Sequence, residues 1–190
     1  MKGCVLLSFS LSKRLAFTAV FAALCTVGTL VVAIPLPTGY FNAGDVFVLL
    51  AGWCLGPLYG SVAAGVGSSI ADIISGFPIY APVTFFVKAA VSATAYFAFV
   101  LFANLIKKEK LTFLSRIFSA ILGEIVMVLG YFLYEIVLYG FGGGVAALLG
   151  NGLQGLCCTA LAVAIVVGLC SVKEVKEFFP ALVAGEKQKK

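Results

Sequence analysis

A few polar side chains interrupt long apolar runs in this sequence, and their types decide what chemistry is open to it. They are Asn42, Asp45, Asp72, Tyr80, Lys88, Tyr131, Glu135, Asn151 and Gln154, with Glu124 standing apart from them. Carboxylates, amides, phenols and one amine can donate and accept hydrogen bonds and neutralise charge, which is the equipment for capturing a small polar ligand. Catalysis is poorly served. Histidine is absent, which removes the usual general base and the commonest metal ligand. Cys4, Cys25, Cys54, Cys157, Cys158 and Cys170 fall mostly inside apolar runs and show no CxxC spacing, so they are expected to pack as small apolar residues. No nucleophile motif is present, so neither an enzyme, a metal site nor a cofactor is expected.

These side chains must be positioned by membrane helices. With 62% hydrophobic and 11% charged residues, there is too little polar surface to coat a soluble globule. At about 20 residues per span, helices are expected at 13 to 34, 44 to 59, 61 to 75, 83 to 106, 116 to 139 and 146 to 171. The fold class is therefore an all-α integral membrane bundle of six transmembrane helices. The first apolar run follows Lys13 and Arg14 like a signal peptide, but it continues to Ile34 without a cleavage site and is read as a span.

Twelve of the 13 basic residues lie before residue 15, between Lys107 and Arg116, or after Lys173. By the positive-inside rule these clusters mark cytoplasmic ends, so both termini of the multi-pass chain are expected in the cytoplasm. The expected layout is a cytoplasmic N-terminus at 1–12, a membrane domain at 13–172 and a basic cytoplasmic tail at 173–190. The net charge of +5 favours anionic lipid headgroups and calls for no nucleic acid. Lys88 alone breaks the pattern, and a charge within a span marks a functional site by default.

Helices two and three are joined by GPLYG, where Pro57 and two glycines break the helix into a tight hairpin. Gly52, Gly56 and Gly60, and then Ala63, Gly67 and Ala71, recur every four residues as ridges for close packing. Three outer loops follow from the topology. Pro35, Pro37, Pro78 and Pro82 restrict the first two, whereas Gly140 and Gly142 to Gly144 leave the third free to move, as a gate or a simple turn.

The same topology gathers Asn42, Asp45, Asp72, Lys88, Glu135, Asn151 and Gln154 in the outer half. Pairing of Lys88 with Asp72 or Asp45 would offset part of its burial cost, about 3 kcal/mol per charge on insertion scales. Glu124, Tyr131 and Glu135 share one helical face, but Glu124 lies about 16 Å deeper than Glu135 at 1.5 Å per residue, so packing or coupling suits it better. Tyr40, Phe41, Phe77, Tyr80, Tyr131 and Tyr134 near the outer boundary suit a flat heterocycle or an interfacial belt.

The string NAGDVFVLLAGWCLGPLYGSVAAGVGSSIADIISGFPIYAPVTFFVKA, Asn42 to Ala89, resembles the S components of energy-coupling factor (ECF) transporters. GEIVMVLGYFLYE from Gly123 and NGLQG from Asn151 fit the riboflavin-type branch, whose relatives are associated with riboflavin, pyridoxine, hydroxymethylpyrimidine and pantothenate. The resemblance implies a six-helix subunit of a prokaryotic plasma-membrane importer that takes a vitamin from outside. Its site would be built from the first loop and helices four to six.

It also implies a separate energising module, with a transmembrane coupling subunit and two ATPase subunits. The chain itself has no GxxxxGK[ST] phosphate loop. Ala19 and Ala23 match the small residues by which helix one of the family docks on the coupling subunit, and the implied mechanism is toppling within the membrane. A stand-alone proton-coupled transporter or channel using Asp45, Asp72 and Glu124 is the alternative.

Overall fold

The computed structural model describes residues 10–35, 40–106 and 112–183. Pro37, Cys4 and most of the central basic cluster lie outside the described residues. Helix α1 is Leu11–Val31, α2 Gly44–Ile74, α3 Ala81–Ile106 and α4 Thr112–Ser171, each long and apolar enough to cross a membrane. A short helix α5, Lys173–Phe178, and a 3-10 turn, Pro180–Val183, close the described chain. The protein is thus a helical membrane protein.

Two of the four long helices are broken by one glycine each. Gly56 has φ 81° and ψ −179°, and Gly140 has φ 75° and ψ 179°. Backbone of this kind is open essentially to glycine alone. Pro57 follows the first break directly, where its fixed φ and missing N–H suit the start of a new helix. The arms on either side then pack back on each other. A Cβ on Gly60 would lie 2.6 Å from the Ala51 carbonyl oxygen, and one on Gly144 2.7 Å from the Ile136 side chain.

The expected hairpin at GPLYG is therefore present as a break in α2. The glycine-rich third loop is not a loop at all. Residues 141–144 are helical, and Gly140 alone makes the reversal. One positive-φ residue suffices where the two arms are close enough to touch, so no free segment is left over.

Small residues set the spacing between helices. A Cβ on Gly52 would fall 2.3 Å from the Ser92 carbonyl oxygen of α3, and one on Gly67 2.2 Å from that of Ala22 on α1. Side chains there would force the helices apart, so Gly52 and Gly67 are packing positions, whereas the expected Gly52, Gly56 and Gly60 ridge is interrupted at Gly56, which is the break itself. The core between them holds Val48, Leu49, Trp53, Val91, Phe99, Met127 and Val166, all buried. Ala19 and Ala23 are exposed on the outer face of α1.

The bundle has two unlike ends. At one, residues 33–35 (β1) and 40–42 (β2) form a small antiparallel ribbon with Ile34 opposite Phe41, an addition to the all-helical expectation. The α2–α3 turn and Gly140 lie at the same end. Gly76, at φ 84°, ends α2, and the Phe77 N–H returns to the Asp72 carbonyl at 2.8 Å. This glycine-dependent cap sets Asp72 and Phe77 side by side.

The opposite end holds Gly56 and a buried cation. Arg116 is 2% exposed, with its guanidinium 3.3 Å from the Phe99 ring centroid and 5.2 Å from that of Trp53. It also donates to the Leu182 carbonyl. Phe178 and Phe179 pack edge-on against Phe17 of α1. The residues after Lys173 thus begin as a strap docked on the bundle.

Candidate functional site

The break in α2 also creates the site. The arm before Gly56 (44–55) is six residues shorter than the arm after it (57–74), which is about 9 Å at 1.5 Å per residue. The shorter arm therefore stops low, and the ribbon drops into the recess it leaves. Asn42, at the end of β2, is buried there beside the first turn of α2.

A polar network ties the recess together. Asp45 accepts from Lys88 Nζ at 2.5 Å on one oxygen and from Gln154 Nε2 at 2.5 Å on the other. Gln154 Oε1 in turn accepts from the backbone N–H of Asn42 at 2.8 Å and its side-chain amide at 3.2 Å. Asn42 Oδ1 accepts from the Gly44 N–H at 2.9 Å. Ribbon, α2, α3 and the second arm of α4 are thereby joined through four side chains. In a medium without water, such a chain stabilises only if its members are satisfied together.

Above this network lies a cavity of about 40 Å³, lined by Tyr40, Asn42, Asp72, Phe77, Tyr80, Thr84, Tyr131, Glu135, Asn151 and Gln154. Tyr40 donates to Asp72 Oδ1 at 2.8 Å, and Tyr80 to Glu135 Oε1 at 3.1 Å. Thr84 and Tyr131 share a hydrogen bond at 2.9 Å. Tyr40 belongs to the ribbon, outside the helices. Burial and the adjacent Asp72 carboxylate push its phenol well above the usual range, so it remains a donor. The tilted rings of Tyr40 and Phe77, with centroids 5.4 Å apart, form part of the wall.

Of the residues expected from the sequence, Asn42, Asp72, Tyr80, Tyr131, Glu135, Asn151 and Gln154 line this cavity, whereas Asp45 and Lys88 do not. Those two are spent on each other behind the lining, with Lys88 Nζ 5.3 Å from the Tyr131 ring centroid. Asp45, rather than Asp72, is the partner of Lys88. Glu124 is also absent from the lining and packs against Gly155, its two oxygens without hydrogen-bond partners among the described residues. Tyr134 turns away to donate to the Ile79 carbonyl at 2.5 Å.

Thr84 was missed. Its signal was available, since it precedes Lys88 by four residues and so shares that helical face. The described residues bring together no group of histidine, cysteine and carboxylate side chains able to hold a metal.

Comparison with known proteins decides the family. Residues 10–172 match the family described as ECF-type riboflavin transporter, S component. The chain belongs to this S-component family. The family is one of transporter subunits rather than enzymes. A curated relative, described as an uncharacterized protein in the gap 3′ region of Pyrococcus woesei, is 39% identical over 123 residues, which is 64% of this chain and 77% of the relative. The solved structure of the S component of a bacterial ECF transporter shares the fold, with a TM-score of 0.65 at 22% identity over 85% of this chain and 98% of that one.

Within this S component the cavity is built from the ribbon, both arms of α4, the end of α2 and the start of α3. Each element arrives through a turn or break at the same end of the bundle. The site thus depends on the breaks at Gly56 and Gly140 as much as on the residues that line it.

Proposed function

We propose that this S component captures a B-type vitamin or vitamin precursor from outside the cell and delivers it through an ATP-driven ECF importer. The observation that carries the reading is the cavity itself, where two carboxylates, three amides, a threonine and three tyrosines meet under an aromatic wall. Buried polar groups without a structural role are costly in a membrane, and a polar heterocycle would engage them. Riboflavin, pyridoxine, hydroxymethylpyrimidine and pantothenate are the candidates.

On this reading the chain crosses the plasma membrane of a prokaryotic cell six times, since the arms of α2 and α4 each double back. Both termini face the cytoplasm because the basic clusters do, and the ribbon end faces outward. Asn42, Asp72, Tyr80, Tyr131, Glu135, Asn151 and Gln154 contact the vitamin, while Asp45 and Lys88 hold the floor. Ala19 and Ala23, exposed on α1, offer a small-residue surface to the coupling subunit, which would work with two ATPase subunits. A cavity of about 40 Å³ is well below the roughly 300 Å³ of an open small-molecule site, so the ribbon and the Phe77 turn must part to admit the ligand.

The proton-coupled alternative finds less support. Asp45 is held by Lys88 and Gln154, and Asp72 by Tyr40, so two of the three carboxylates are already engaged. The test is to purify the protein, analyse co-purified heterocycles by mass spectrometry and titrate the candidate vitamins. Binding at nanomolar to micromolar concentration is expected. Failure of every candidate, with uptake into liposomes by the subunit alone under a proton gradient, would sink the reading.

A further inference from the structure

The charges around the cavity are one-sided. Asp72 and Glu135 line it, and among the described residues no lysine or arginine does. Between Arg14 and Lys107 the sequence has no basic residue except Lys88, and between Arg116 and Lys173 it has none. Every segment that reaches the cavity lies within those limits. Arg116 is far off, at the end of the bundle that holds Gly56 and Leu182.

Lys88 does not redress the balance. It is 3% exposed and its Nζ lies 2.5 Å from Asp45 Oδ1, so an anion could reach it only by displacing a buried carboxylate. The acidic groups, in contrast, offer acceptor atoms. Asp72 is 6% exposed and its Oδ2 makes no hydrogen bond, while Oδ1 accepts from the Tyr40 hydroxyl. Thr84 faces the same carboxylate and shares a hydrogen bond with Tyr131. An acceptor buried in this way calls for a donor, most strongly a charged one.

Resting on the vitamin-capture reading, we propose that the ligand carries a positively charged nitrogen, such as an ammonium or amidine-like group, seated between Asp72 and Glu135. By the same asymmetry the cavity rejects carboxylates and phosphates. A ligand cation supplies the opposite charge that the lining lacks. A ligand anion would face two carboxylates in a medium of low dielectric constant, where like charges repel most strongly. The specificity is thus partly repulsive.

The test uses one ring with three substituents. Pyridoxamine, pyridoxine and 4-pyridoxic acid differ in carrying an amine, a hydroxyl or a carboxylate at the same position. Their dissociation constants, with that of riboflavin, are measured on the purified full-length protein in lipid nanodiscs by equilibrium dialysis. The amine is expected to bind at least tenfold tighter than the alcohol, and the acid at least tenfold weaker. Asp72→Asn and Glu135→Gln, each checked for an unchanged thermal transition, should each bring the amine-to-alcohol ratio toward unity.

Equal or tighter binding of the acid overturns the proposal, as does an amine preference that survives both substitutions. If riboflavin binds and the one-ring series shows no charge preference, the capture reading stands and the charge inference falls. If nothing in the panel binds, riboflavin included, both fall together.

Discussion

Lys88 Nζ lies 2.5 Å from Asp45 Oδ1, and both side chains are almost wholly buried. Their separation in sequence is 43 residues, so the pair joins α2 to α3 at the height where the ribbon enters. Its partner atoms leave no access from the cavity, which makes it part of the frame on which the lining rests.

Removing one member should therefore cost stability before it costs specificity. Lys88→Met is expected to destabilise the protein by about 3–5 kcal/mol, because Asp45 is left buried with its charge uncompensated. Lys88→Met combined with Asp45→Asn should recover at least half of that loss, since no uncompensated charge then remains. Thermal unfolding in one detergent across the single and double variants checks this. Equal losses in the two would mean that packing, not charge, dominates.

The breaks at Gly56 and Gly140 give a second prediction. A Cβ at Gly140 meets nothing within 4 Å, yet its φ of 75° is one that side chains avoid. Gly140→Ala should then cost about 1–3 kcal/mol through backbone strain alone. Gly142, also with open space around it but inside a helix, should behave oppositely, and Gly142→Ala should stabilise by about 0.5–1 kcal/mol. Circular dichroism melts of the two variants suffice. Destabilisation by Gly142→Ala would restore the mobile-loop reading.

Much of this architecture was legible in the sequence because membrane helices announce themselves by length and basic flanks. The hairpin at GPLYG was legible because glycine followed by proline breaks a helix and then starts one. The glycine-rich run after Tyr139 misled, because in a membrane helix glycine serves close packing as readily as flexibility. A Cβ on Gly144 would lie 2.7 Å from the Ile136 side chain. Composition cannot tell these uses apart.

The site was legible at the level of which helices contribute, since depth follows from topology. The division between lining and floor was not. Asp45 and Asp72 lie on arms of unequal length, and only the 9 Å or so of offset at 1.5 Å per residue puts Asp72 at the cavity and Asp45 behind it. Arg116 was hidden for a similar reason. It closes a basic cluster, but stands four residues into α4, where Trp53 and Phe99 enclose it.

Arg116 supports a third prediction. Its guanidinium stacks on Phe99 and donates to the Leu182 carbonyl, so it pins the strap that follows Lys173. Arg116→Ala should lower stability by about 2–3 kcal/mol, the worth of a buried hydrogen bond from a charged donor. It should also expose Phe179, which otherwise packs against Phe17 and Phe21. Limited digestion with chymotrypsin reads the second effect. Cleavage there at the wild-type rate would show that the aromatic contacts alone retain the strap.

Asn151 and Gln154 lie one turn apart on the second arm of α4 and both line the cavity, yet they should respond differently to truncation. Gln154 bridges Asp45 and Asn42. Gln154→Ala leaves one acceptor and two donors buried without those partners, at a cost of about 1–3 kcal/mol each. Stability and ligand affinity should fall together. Asn151 is half-buried on the lining. Its loss should leave the thermal transition nearly unchanged while weakening ligand binding up to about tenfold, the worth of one hydrogen bond. Parallel melts and binding isotherms separate the two cases. A drop in stability for Asn151→Ala with affinity intact would place that residue in the frame with Lys88 rather than among the ligand contacts.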